Sequence, residues 1–363
     1  MRITVSTLVR AASLTVALGA TMAVAAAGAG ASVPVNLRVA TNDGSNLADV
    51  TQYVPQRTTV KTFAGDDCFD PTPPIKQSSG ASYPQASPNM LSAIWEASQA
   101  EPALQPVRIS DADFATFGAL SICQINAKTP PGFFALKANH QTLQVGADLF
   151  PVQAGDQLLA FRTGADFSAD EELDLSAPVR TTPGPVTVNV RSYTSAFSST
   201  GATVQARPDA LVSAGGDPVK TDNLGNATLA FPAPGTYAVT ARGDSDDIPS
   251  QTLTICVAAQ PDLECPDERG REILGSDESE TIKGADGNDV IKARDGNDIV
   301  KAAAGNDLIV VNGGGNDRVF CGGGFDTVFK DRKTDKVSKN CEVVNGKKAK
   351  KHRKHHKKGK HRK

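Results

Sequence analysis

Apolar positions recur along this chain in four rhythms, and each rhythm predicts a different element. From Ala11 to Ala27 they run almost unbroken. Between Pro34 and Thr163 they fall in short runs, Val35 to Ala40, Gly132 to Lys137, Gln141 to Val145 and Asp156 to Phe161, which read as strands between turn residues. One interval has a helical period, with Leu91, Ile94 and Trp95 on a single face after Pro88-Asn89. A few strands and one helix predict a small α+β domain over 32–165. From Val186 to Val257 the period is two, in the runs Val186 to Val190, Ala202 to Ala206, Ala227 to Phe231, Tyr237 to Ala241 and Gln251 to Val257. Turns at Asn223-Leu224-Gly225 and Pro234-Gly235 separate them, which predicts a β-sandwich over 184–258. The acidic, then Pro-rich stretch 166–183 between the two reads as a linker.

The fourth rhythm has a period of nine. Residues 275–338 align as GSDESETIK, GADGNDVIK, ARDGNDIVK, AAAGNDLIV, one extra residue (Val311), NGGGNDRVF, CGGGFDTVF and KDRKTDKVS. An apolar residue fills the eighth position throughout: Ile282, Ile291, Val300, Ile309, Val319, Val328 and Val337. Each unit is then a short strand with one inward residue and a tight turn, and stacking builds a thin core over 266–345. Gly287, Gly296, Gly305, Gly315 and Gly324 fill the fourth position, where a Cβ would penalise the turn. The sixth position is always acidic: Glu280, Asp289, Asp298, Asp307, Asp317, Asp326 and Asp335. At strand spacing these acids repel one another until a cation enters.

The nonapeptides resemble the RTX repeat G-G-x-G-x-D-x-U-x of calcium-binding β-rolls. The resemblance implies that two repeats make one coil, so that acids in repeats i and i+2 share an edge and an ion. That pairs Asp289 with Asp307, Asp298 with Asp317, and Asp307 with Asp326. Carboxylates and turn carbonyls at Gly287, Gly296, Gly305, Gly315 and Gly324 would give the all-oxygen shell that Ca2+ takes. The first two glycines are missing from ARDGND and AAAGND, and the first and last repeats lack the fourth-position glycine, so the middle of the roll is where good sites are expected. Lys283, Lys292 and Lys301 at the ninth position are expected to face outward. A calcium-free solenoid whose aspartates merely cap turns is the competing reading.

Two weaker resemblances concern the preceding regions. The stretch Ser92 to Ala97, Phe117-Gly118 before Ile122, Phe133 to Asn139, Val145-Gly146-Ala147, and Val152 before Ala154-Gly155-Asp156 resembles the β-grasp module of transcobalamin-like proteins, which implies a small-ligand site. A Pro/Ser-rich insertion near Cys68 departs from that pattern. The segment Val219 to Thr228 with Pro232 to Tyr237 resembles immunoglobulin-like or prealbumin-like modules of bacterial surface proteins, which hold other domains apart. The fold class is thus mainly β and multi-domain: a β-grasp-like α+β domain, a β-sandwich, and a parallel β-roll.

Composition adds a compartment. Arg2 and Arg10, the apolar stretch, and A-x-A sites ending at Ala29 and Ala31 read as a signal peptide over 1–31, with a membrane anchor as the alternative. Export makes the six cysteines disulfide candidates. Neighbour preference pairs Cys68 with Cys123, Cys256 with Cys265, and Cys321 with Cys341; no C-x-x-C or Cys/His spacing points to zinc. The net charge of -2 hides an asymmetry, because residues 347–363 hold eleven Lys or Arg and no acid, leaving a strongly acidic body. This basic tail (346–363) reads as disordered, a solvated end or an electrostatic attachment to anionic cell-wall polymer or membrane surface. Nucleic acid is disfavoured as its partner after export. No G-x-S-x-G, H-E-x-x-H or phosphate-binding glycine motif occurs, and His140 is the one histidine outside the tail. The expectation is a secreted or surface-associated, non-catalytic calcium-binding protein; a small-ligand binder through the β-grasp-like domain and a secreted hydrolase with an unrecognised site are the alternatives.

Overall fold

The computed structural model describes residues 32–41, 45–67, 75–85, 88–127, 134–162, 171–195, 201–244, 247–260, 269–331 and 333–348. The expected signal peptide, most of the basic tail, Cys68 and Cys265 lie outside the described residues. Among the described residues no helix is long and apolar enough to cross a membrane.

In the N-terminal region, Val33–Ala40 is the middle of a mixed sheet, antiparallel to Asn46–Val54 and parallel to Gln157–Arg162. Phe134–Ala138 and Gln141–Thr142 extend it on the far side of Gln157–Arg162. Val35, Leu37 and Val39 alternate onto one face and are buried with Leu91, Ile94 and Ala97 of the helix Met90–Ala100. That helix starts where Asn89 accepts the Ser92 N–H on its side-chain oxygen at 2.8 Å. Trp95, expected on the buried face, is only half-buried, and Met90 and Ala93 fill the core instead. The other face of Val33–Ala40 carries Asn36 and Arg38.

The sandwich has one sheet of Glu172–Ser176, Gly184–Thr194, Thr203–Ala206 and Asn226–Phe231, and a second of Arg180–Thr181, Leu253–Val257, Gly235–Arg242, Leu211–Ser213 and Val219–Lys220. Its core is Val186, Val188, Val190, Leu229, Phe231, Val239 and Ile255. The linker expected over 166–183 is corrected here: Glu172–Ser176 pairs along Gly184–Thr194, with Leu173 and Leu175 buried. Acidic and proline content masked a period-two run, Leu173 and Leu175 between polar neighbours.

The two regions are joined through buried charge. Glu172 of the sandwich meets Arg38 at 2.6 Å, Lys137 at 3.7 Å and His140 Nδ1 at 3.1 Å, and the His140 ring stacks on Tyr193 at 3.9 Å. Burial pushes the Glu172 carboxyl up, but His140, Arg38 and Lys137 outweigh it and hold that carboxyl below its ordinary range.

The roll docks on the N-terminal sheet. Arg269–Leu274 pairs parallel to Asn46–Val54, matching Thr51 with Ile273 and Gln52 with Leu274. One eleven-stranded sheet therefore runs from the N-terminal region into the roll. Leu274 is buried in the N-terminal core, and Tyr53 in the core of the roll.

Candidate metal centre

Successive nonapeptides alternate between two parallel sheets. Each coil gives one strand to each sheet: Arg269–Leu274, Asn288–Lys292, Leu308–Val311, Thr327–Lys330 and Val343–Val344 lie in one, and Thr281–Lys283, Ile299–Lys301, Arg318–Phe320 and Lys336–Val337 opposite. Register follows the eighth position: Ile273, Ile291, Ile309 and Val328 stack in one sheet, Ile282, Val300, Val319 and Val337 in the other. All but Val337 are buried, closing the thin core that the period of nine requires. Val311 lies inside Leu308–Val311 and is buried too, so the extra residue lengthens a strand without breaking the stack.

The sixth-position acids form two rows, one at each start of a strand. Asp289, Asp307 and Asp326 make one; Glu280, Asp298, Asp317 and Asp335 make the other. Within each row, a backbone N–H donates to the carboxylate one coil further on: Asp289 to Asp307 at 2.9 Å, Asp298 to Asp317 at 2.8 Å, Asp307 to Asp326 at 3.0 Å. The structure therefore brings together each of the three pairs expected from the sequence. Asp289, Asp298, Asp307, Asp317 and Asp326 are all buried.

These side chains use one oxygen on the neighbouring coil. The second oxygen, Oδ2, of Asp298, Asp307 and Asp326 is buried without a hydrogen-bond partner among the described residues. Such an atom is costly unless a proton or cation meets it. Burial pushes Asp298 up to about 8, and Glu280, Asp317 and Asp295 add to the rise against the backbone donation from Glu280. Burial likewise pushes Asp307 up to about 7, helped by Asp326 and Asp289. Asp289 and Asp326 are raised for the same leading reason. Among the described residues no group of three or more His, Cys, Asp or Glu is arranged around one point. An ion in the roll would rest on carboxylate pairs completed by carbonyl oxygens.

The fourth-position glycines supply the close approach. Gly287, Gly296, Gly305, Gly315 and Gly324 all have positive φ, from 84° to 141°. A Cβ on Gly305 would sit 2.1 Å from the Gly287 carbonyl oxygen, and one on Gly315 1.3 Å from that of Gly296. The carbonyls of one turn thus lie directly beneath the next, and only glycine fits between.

Three contributors lie outside the expected set. Fifth-position asparagines form a second ladder, with Asn288 Oδ1 accepting the Asn306 N–H at 2.6 Å and Asn297 Oδ1 that of Asn316 at 2.9 Å. Their signal, the repeated G-N-D triplet, was present in the alignment. At the N-terminal end, Glu280 is closed off by Ser32 and Ser276 hydroxyls. At the C-terminal end, Glu342 accepts from Asp326 N–H. Glu280 is the sixth-position acid of the first repeat, but Ser32 and Glu342 carry no repeat signal. Cys321 and Cys341 are bonded, Cα to Cα 5.4 Å, as the neighbour rule expected. Cys123 and Cys256 are disulfide-bonded as well, while their expected partners lie outside the described residues.

A family model of the RTX calcium-binding nonapeptide repeat, in four copies, matches residues 274–309. No curated protein and no solved structure matches the chain. RTX nonapeptide repeats bind Ca2+, and calcium is accordingly the cofactor of this chain. The coil itself continues past the matched span, through Lys336–Val337 to Val343–Val344.

Proposed function

We propose that this chain is a secreted or surface-associated, non-catalytic protein in which Ca2+ folds and stabilises the C-terminal roll, giving it a structural or adhesive role. The observation that carries the calcium part is the set of buried Oδ2 atoms on Asp298, Asp307 and Asp326, which have no hydrogen-bond partner among the described residues. Asp289 with Asp307, Asp298 with Asp317, and Asp307 with Asp326 would hold the ions, with carbonyls of the Gly287, Gly296, Gly305, Gly315 and Gly324 turns completing the shell. A bound Ca2+ supplies the positive charge that cancels repulsion along each row. The residues themselves fix the spacing: the N–H donations set each carboxylate one coil from the next, and the glycines keep the carbonyls close.

Export is supported by the signal-like residues 1–31 and by the disulfides. In such a compartment, a site of Kd about 10⁻⁴ M facing calcium of about 10⁻³ M gains about 1.4 kcal/mol. Several sites together then matter for a core one side chain thick. The non-catalytic reading is supported by His140, the one histidine outside the tail, being engaged with Glu172 and Tyr193. The basic end past Lys347 favours attachment to an anionic surface. Calorimetric titration of the full chain from a chelated start tests the assignment: heat with calcium near millimolar and little with magnesium is expected, and no calcium heat removes it.

A second reading rests on a cleft. A cavity of about 670 Å³, within the roughly 300–1,000 Å³ range of ligand pockets, lies between the N-terminal sheet, the sandwich and the first coil. Asn36, Arg38, Asp49, His140, Glu172 and Arg271 are among its lining residues. Equilibrium dialysis of the full chain against cobalamins and glycans tests it; retention of neither ligand leaves the calcium role alone.

A further inference from the structure

The nonapeptide acids run out before the coil does. Eighteen and nineteen residues beyond Asp326 stand Val344 and Asn345, neither of which can continue the row Asp289, Asp307, Asp326. Yet the strand continues: Thr327 pairs with Val343 and Val328 with Val344, parallel, and the Val343 N–H donates to the Asp326 carbonyl at 3.0 Å. The position of the missing aspartate is taken by Glu342. Its Oε2 accepts the Asp326 N–H at 2.9 Å, the same donation that links Asp289 to Asp307 and Asp307 to Asp326. Glutamate reaches there from a coil shortened to sixteen residues, with one methylene more than aspartate.

Two independent features mark this end as more than a hydrogen-bonded cap. Asp326 is fully buried, at 0% exposure, and its Oδ2 has no hydrogen-bond partner among the described residues, as for Asp298 and Asp307 within the roll. And Glu342 is fixed from its own neighbour, since Cys341 is buried and bonded to Cys321, which opens the repeat containing Asp326. The Asn340 amide donates to the Gly322 carbonyl on the same turn.

We propose that Asp326 and Glu342 form a terminal site for a hard divalent cation, Ca2+, built from a residue outside the nonapeptide repeat and positioned by the Cys321–Cys341 disulfide. The site rests on the calcium reading of the roll. It differs from the inner sites in being joined to a covalent clamp, so the affinity of the last ion depends on the disulfide, while that of the inner ions does not.

Native mass spectrometry of the full chain during a calcium titration counts the ions. E342Q keeps an oxygen acceptor for the Asp326 N–H but removes the charge; D326N removes its partner. E342Q is expected to lose one ion; D326N, because Asp326 also pairs with Asp307, is expected to lose that ion and the Asp307–Asp326 ion, so that the double variant loses no more than D326N alone. Replacing both Cys321 and Cys341 by Ser is expected to weaken that ion about tenfold, as lost outer-shell support does, with the inner ions kept. E342Q retaining every ion at unchanged affinity overturns the proposal. So does loss of all ions in E342Q with only two lost in D326N, since Glu342 would then hold the fold and not an ion. A wild-type chain that takes up no calcium at all removes the roll reading itself, a different result from either.

Discussion

The central residue-scale fact is a carboxyl with one oxygen satisfied and one not. At Asp298 and Asp307 this raises the carboxyl to about 8 and about 7, burial being the larger cause and neighbouring carboxylates the next. A folded-state value above the unfolded value of about 3.9 means that the calcium-free fold holds protons the unfolded chain has released. The calcium-free roll is therefore most stable below about pH 4 and loses that contribution as pH rises to about 8. Calcium competes with the same protons, so its affinity is expected to rise between about pH 6 and 8, with protons released on binding; calorimetry in buffers of different ionisation enthalpy reads both. Asp298→Asn is expected to flatten the pH slope of calcium-free melting and to weaken calcium binding at that coil about tenfold. A variant with wild-type pH slope would show that Asp298 does not carry it.

At the scale of elements, the turn decides what the strand can do. Gly315→Ala meets both a positive φ and the Gly296 carbonyl at 1.3 Å, and is expected to destabilise the calcium-loaded roll by about 2–4 kcal/mol. Gly323→Ala, where an added Cβ meets nothing within 4 Å, is expected to leave the melting temperature nearly unchanged. Thermal unfolding at saturating calcium compares the two. The roll was the most legible part of the sequence because its geometry is local: one coil is two repeats, so aspartates, glycines and β-branched residues recur at fixed intervals. The two ends were not legible. Ser32 reaches Glu280 across 248 residues, and Glu342 stands off the period, so neither leaves a pattern in the chain. The strand Glu172–Ser176 was hidden for a different reason. Its buried acid, Glu172, is satisfied by Arg38, Lys137 and His140 from another region, and composition alone reads such an acid as solvated.

Across the whole molecule, the N-terminal sheet serves as the starting template of the roll. Tyr53 enters the roll core, its hydroxyl accepts the Lys283 N–H at 3.1 Å, and Gln52 donates to the Gly275 carbonyl at 3.2 Å. Arg294 reaches back to Glu96 at 2.6 Å, and Lys292 pairs with Glu101. Tyr53→Ala is expected to cost about 3–5 kcal/mol by opening a cavity where the two cores meet, and to weaken calcium-driven stabilisation of the roll; differential scanning calorimetry with and without calcium measures both. Glu172→Gln, which leaves Arg38 and Lys137 without their carboxylate, is expected to cost about 3–5 kcal/mol at the N-terminal region's junction with the sandwich. The sandwich, expected as a spacer, instead packs on the N-terminal sheet, while the roll takes that sheet's open edge.

Hydrogen exchange of the full chain, read by mass spectrometry in chelator, in calcium and in magnesium, tests most directly whether calcium folds the roll. Amides of the stacked strands from Asn288–Lys292 to Thr327–Lys330 should be protected in calcium and exchange freely in chelator or magnesium, while Gly184–Thr194 and Asn226–Phe231 of the sandwich stay protected throughout. Equal protection of the roll strands in chelator and in calcium would contradict the account and leave a solenoid that holds itself together without the ion.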